Sequence, residues 1–157
     1  MYKAEPAYRV SSATNISLLL RKKRVAGLVL VKEKLQGSAV RSVWLSTDMW
    51  TSRAMDGYIT VTSHHISSEW KMVSLVLATA GFVEHHIAEE IGKRLMRIAE
   101  SLGVAARVAA VVHNKAANQC AALRKATALA QEKHPRSSWE STVCAAYRLQ
   151  TCLKYAL

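Results

Sequence analysis

The chain has 157 residues, a hydrophobic fraction of 50% and a formal net charge of +11. That is enough for one globular domain with a real core and too little for two comfortable ones. No stretch approaches the ~20 apolar residues of a membrane span, the start lacks the pattern of a secretory signal, and three widely spaced cysteines (Cys120, Cys144, Cys152) imply no disulfide framework. A reducing compartment is the simplest home, and the charge favours polyanionic partners, nucleic acid or an anionic surface.

Residues 1 to 11 read as an irregular lead-in around Pro6. From Ser12 onward, cap chemistry followed by Ile16, Leu19, Leu20, Leu28 and Leu35 predicts a helix that Gly37-Ser38 ends. Residues 1 to 40 carry eight basic side chains against Glu5 and Glu33, more than half of the net excess. The run Arg21-Lys22-Lys23-Arg24 is a candidate nucleic-acid contact or nuclear-import patch; the bland alternative is a solvated helix face. We take 1–40 as a basic helical lead-in and 41–157 as the globular part.

Val43 to Thr47 is a short strand-like run stopping at Asp48. Tyr58 to Ile66 alternates Ile59 and Val61 against Tyr58, Thr60 and Thr62, and Lys71 to Thr79 places Val73, Leu75 and Leu77 on one face. Three strands joined by short links predict an antiparallel meander. Ile87, Ile91, Leu95, Ile98 and Leu102 then recur at helical spacing, with Gly103 as the stop. Val108 to Val112 is an unbroken apolar run suited to a strand covered on both faces. An Ala-rich helix from Ala116 to Gln131, a break at Pro135, a strand from Trp139 to Cys144 and a final helix from Ala145 complete the order. A meander followed by alternating helices and strands is a mixed-sheet α/β architecture, with the fourth strand parallel to one of the meander.

The segment Ser46-Thr-Asp-Met-Trp-Thr-Ser52 resembles the T-D-x-W-T-S signature of hAT-type transposases and zinc finger BED domain-containing proteins. Tyr58-Ile-Thr-Val-Thr with His64-His65-Ile66 is similar to that family's second strand. Glu69-Trp70-Lys71-Met72 and Val76-Leu77-Ala78-Thr79 are similar to its third. His86-Ile-Ala-Glu-Glu-Ile91 resembles its H-T-A-x-x-I helix start, and Ala116-Ala117-Asn118 the end of D-N-A-x-N. Cys144-Ala-Ala-Tyr-Arg-Leu-Gln150 resembles C-A-A-H-x-L-Q. Motifs in the same order at sensible spacing cover residues 41 to 157.

The resemblance implies a ribonuclease H-like fold, incomplete at its C-terminus, in which three carboxylates of intact relatives hold two divalent ions, Mg²⁺ by preference, for in-line displacement at phosphorus. Asp48 takes the position of the first carboxylate. Asn114 stands where the second should be, with Lys115 beside it, and the chain ends before the insertion that precedes the third. Glu140 lies too early to replace it, and Tyr147 stands where the family has His. One unit charge at ~4 Å is worth roughly 4 kcal/mol at an effective dielectric near 20, so losing one carboxylate weakens a divalent ion by about three orders of magnitude. The expectation is a vestigial site: Asp48 a remnant metal ligand, no intact catalytic set and no cofactor.

His113 is a weak alternative ligand, because a lone imidazole suits zinc or copper better than Mg²⁺. His64-His65 would face opposite sides of a strand, and His85-His86 make an equally poor zinc pair. Trp44, Trp50, Trp70 and Trp139 read as core or edge packing, with base stacking the alternative for Trp50. The leading functional expectation is a degenerate or domesticated nuclear protein that binds DNA or a protein partner, with neither a membrane nor a small-molecule substrate. A residual metal-dependent nuclease and a dimerising interaction module are the alternatives.

Overall fold

The computed structural model describes residues 11–37, 41–82, 88–114 and 116–156. The chain divides between Leu30 and Val31 into two compact units. Helix α1, Ala13–Gln36, begins in the first. Ser12 caps it: its Oγ accepts from the Asn15 N–H at 3.3 Å, satisfying one of the donors a helix start leaves open. The helix is continuous, yet Leu18, Leu19, Leu20, Val25 and Leu30 are all exposed, so no single face of this stretch is buried.

The second unit is built on a five-stranded sheet of order β3-β2-β1-β4-β5. Its strands are β1 Val43–Thr51, β2 Gly57–Ile66, β3 Met72–Phe82, β4 Val108–His113 and β5 Glu140–Val143. The meander β1-β2-β3 is antiparallel, while β4 runs parallel to β1 and β5 parallel to β4. This is the ribonuclease H-like arrangement expected from the sequence. One boundary differs: β1 does not stop at Asp48 but continues to Thr51. Its backbone stays paired with β2 through Trp50↔Tyr58, and those two rings stack with centroids 4.5 Å apart.

Helices α2, Ala88–Ser101, and α3, Ala117–Lys133, supply the crossovers, and α4, Ala145–Ala156, follows β5. A Schellman end stops α2. Gly103 adopts φ 70°, its N–H reaches Glu100 O at 3.0 Å, and the Val104 N–H reaches Ala99 O at 2.9 Å. Helices α2 and α3 approach closely at small residues: a Cβ on Gly92 would lie 2.7 Å from the Ala122 carbonyl oxygen. The core unites Leu45, Ile59 and Val61 of the sheet with Ile91 and Leu95 of α2 and Leu123 of α3. None of the six β4 residues is exposed, as its unbroken apolar run implies.

Trp139 alone of the four tryptophans is buried. Its Nε1–H donates to Ala105 O at 2.9 Å, pinning the approach to β5. Trp44, Trp50 and Trp70 are exposed, so of the expected core or edge packing only Trp139 takes the core. The sequence pattern could not reveal this, because an indole packs equally well in a core or at a wet edge.

Candidate functional site

Strand parity divides the sheet into two faces. Val43, Leu45 and Thr47 of β1 point to the helices and are buried, whereas Trp44, Ser46, Asp48 and Trp50 line the other face. Neighbours on β2 follow by register: His64 beside Trp44, Thr62 beside Ser46, Thr60 beside Asp48. The face is laced with polar contacts. The His64 ring bridges Ser46 Oγ through Nε2 and Ser74 Oγ through Nδ1, each at 2.9 Å, tying three strands together. His65 points the other way, into the core, so the adjacent histidines cannot share an ion.

Chain order reverses between β1 and β4: the meander leaves β1 on one side, and the α2 crossover lands β4 on the other. Clefts form at the carboxyl ends of strands at such a switch point. Here the parallel register pairs Thr47 with His113, so Asp48 and Asn114 are the next residues along two adjacent strands. Both line a cleft of about 370 Å³. Thr60 and Thr62 of β2 border it, and Cys144, between β5 and α4, closes it with Ala146, Tyr147 and Gln150 of α4. Motif residues from four separate stretches of sequence thus meet around one space.

Asp48 is exposed and, among the described residues, is the single carboxylate lining this cleft. The Asn114 Oδ1 accepts from the Ala116 N–H at 3.2 Å, turning the chain into α3. His113 is buried and fully engaged. Its Nδ1–H donates to the Asn114 carbonyl, which leaves Nε2 to accept from the Ser141 hydroxyl at 3.0 Å. Both nitrogens are therefore committed to structure, which explains a histidine at the end of β4 without any ion. Thr47 Oγ1 is buried without a hydrogen-bond partner.

This donor set does not fit a pair of Mg²⁺ ions. One carboxylate, one amide already used by backbone and several neutral hydroxyls lack the charge that hard divalent ions demand. Among the described residues no three His, Cys, Asp or Glu side chains gather around a point where a metal could sit. Lys115, His85 and His86 lie outside the described residues. Arg21, Lys22, Lys23 and Arg24 are exposed on α1, in the other unit from the Asp48 cleft.

The sequence profile of the ZBED1 RNase-like domain matches residues 46–138, more than half of the chain. The chain belongs to that family. The match opens in the Asp48 signature of the ZBED1 RNase-like domain and closes just before β5, so it contains both Asp48 and Asn114. Among solved structures, the catalytic domain of Mos1 mariner transposase is similar at 13% identity and a TM-score of 0.34, over 85% of this chain and 69% of that one. No curated protein sequence matches the chain.

The sequence motifs located Asp48, Asn114 and Tyr147 but missed the part Thr60, Thr62 and Gln150 play in lining the cleft. Strand alternation was the available signal: Thr60 and Thr62 share the polar parity of β2 and register against Asp48 and Ser46.

Proposed function

We propose that this chain is a non-catalytic member of the ZBED1 RNase-like domain family, related to hAT-type transposases, whose role is to bind nucleic acid in the nucleus. The observation that carries this reading is the amide of Asn114 beside Asp48, each the residue after the last β1–β4 pair, on one cleft. In-line displacement at phosphorus needs concentrated negative charge to hold two metal ions, and this cleft offers one carboxylate. The net charge of +11 supports a polyanionic partner.

The decisive experiment is a plasmid-nicking assay in Mg²⁺ and in Mn²⁺, comparing the wild type with Asp48→Ala. Equal background cleavage is the expected result; cleavage lost on substitution would establish a metal-dependent nuclease instead. Binding to duplex DNA that weakens steeply with salt is expected alongside. A protein-interaction role has its own support in Leu149 and Leu153, which are exposed on α4. Self-association in size-exclusion chromatography, lost in Leu149→Ser/Leu153→Ser, would favour it.

A further inference from the structure

At the opposite end of the open sheet face lies a second groove of about 480 Å³, lined by Arg41, Ser42, Trp44, Ile66, Ser67, Ser68 and Trp70. It sits upstream on β1, with Trp44 four residues and ~13 Å before Asp48 along the same face. Two features set it apart. Trp70 is 89% exposed and Trp44 41% exposed, although indoles are among the side chains that gain most from burial. Trp70 also holds φ 58°, the left-handed region that glycine or asparagine occupies at little cost and a bulky side chain rarely enters.

The turn fixes that conformation. The Ser67 N–H donates to Lys71 O at 2.9 Å, the Trp70 N–H to Ser67 O at 3.0 Å, and the Lys71 N–H to Ser67 Oγ at 3.3 Å. The β1–β2 turn repeats this geometry with Met55 at φ 65°, so the hairpin accounts for the backbone, and what sets the β2–β3 turn apart is the large indole it presents beside Trp44.

We propose that this groove binds unpaired nucleotides of a single-stranded nucleic acid, the bases stacking on Trp44 and Trp70. The proposal rests on the nucleic-acid reading above and gives it a second location, separate from the Asp48 cleft. Indole faces accept any base, but only one that is not already stacked and paired in a duplex. Arg41 and the hydroxyls of Ser42, Ser67 and Ser68 provide donors for the phosphodiester at the rim. The lining contains no acid, and the nearby Glu69 carboxylate is held by Lys71 at 2.8 Å, so a polyanion meets little repulsion there.

The test titrates the full chain with a fluorescent twelve-residue oligothymidylate and, separately, with a twelve-base-pair duplex, following anisotropy and intrinsic tryptophan emission. Expected are quenched emission with the single strand and a roughly tenfold loss of its affinity in Trp70→Ala, the scale of one base–aromatic stack. Duplex affinity should stay within about twofold of wild type, because phosphate contacts alone carry it. Trp70→Phe should keep most of the single-strand affinity, and so should Trp44→Phe, which leaves the sheet filled. Single-strand binding unaltered in Trp70→Ala overturns the groove while leaving the nucleic-acid reading in place. Absence of binding to either oligonucleotide overturns both. Self-association lost in Trp70→Ala, without quenching by the single strand, assigns the groove to a protein contact and overturns the proposal.

Discussion

Asn114, which we propose stands where relatives carry an acid, also holds the turn that leads into α3. Its Oδ1 accepts from the Ala116 N–H, and a carboxylate would accept the same bond. Asn114→Asp should therefore fold normally while adding a charge next to Asp48. We expect this variant to bind Mn²⁺ at least tenfold more tightly than wild type in isothermal titration, by the Coulomb term of one carboxylate discounted for solvent. Unchanged affinity would mean that the two side chains do not face a common ion. His65 offers a separate test. It is 4% exposed, its Nδ1 has no hydrogen-bond partner, and burial first, then the charge of Arg107, lowers its pKa below the ordinary value. The unfolded chain takes up a proton near pH ~6.5 that the folded chain refuses, so stability is full above that pH. It falls as pH drops towards the depressed folded value and levels off below. The melting temperature should thus drop further between pH 7.5 and 5.5 in wild type than in His65→Gln; equal drops would rule this account out.

At the scale of elements, the close crossing of α2 and α3 depends on what Gly92 lacks. The nearest atom to an added Cβ is a backbone oxygen, which cannot rotate away, and the Ala126 nitrogen follows at 3.2 Å. Gly92→Ala gains helix propensity but forces the helices apart, and overpacking of this kind costs ~1–3 kcal/mol. Chemical denaturation should show a lowered midpoint; a raised one would mean the helices separate freely. This crossing could not be read from the sequence, where Gly92 only weakens an otherwise good helix. The elements themselves could. Period-two alternation marked β2 and β3, four-residue spacing marked α2, and the apolar run marked β4, because each pattern records which side of the element is dry. Pairing across the sheet leaves no such trace. The extension of β1 beyond Asp48 comes from its ladder with β2, and the exposure of Trp70 comes from a left-handed turn. Asp48, Asn114 and Tyr147 were legible as a site only through motifs, since nothing local tells a cleft asparagine from one that merely caps a helix.

For the whole molecule, the governing quantity is the net charge of +11 and where it sits. Arg21, Lys22, Lys23 and Arg24 are consecutive on α1, so they project around the helix rather than along one stripe. All four are exposed. A duplex lying against one side of α1 would reach two or three of them, and each phosphate neutralised releases counterions worth about 0.9 in the slope of log K against log salt. Replacing all four by alanine should therefore flatten the slope for duplex DNA by roughly two to three, with little effect on fold because the side chains are solvated. The same replacement should change the stacking part of single-strand binding little, since that part is set by ring contact and is insensitive to salt. The two variants separate the contributions: the alanine quartet acts on the slope, and Trp70→Ala acts on affinity at fixed salt. An unaltered slope in the quartet would show that the basic run is a solvated helix face and that the counterions are released elsewhere on the molecule.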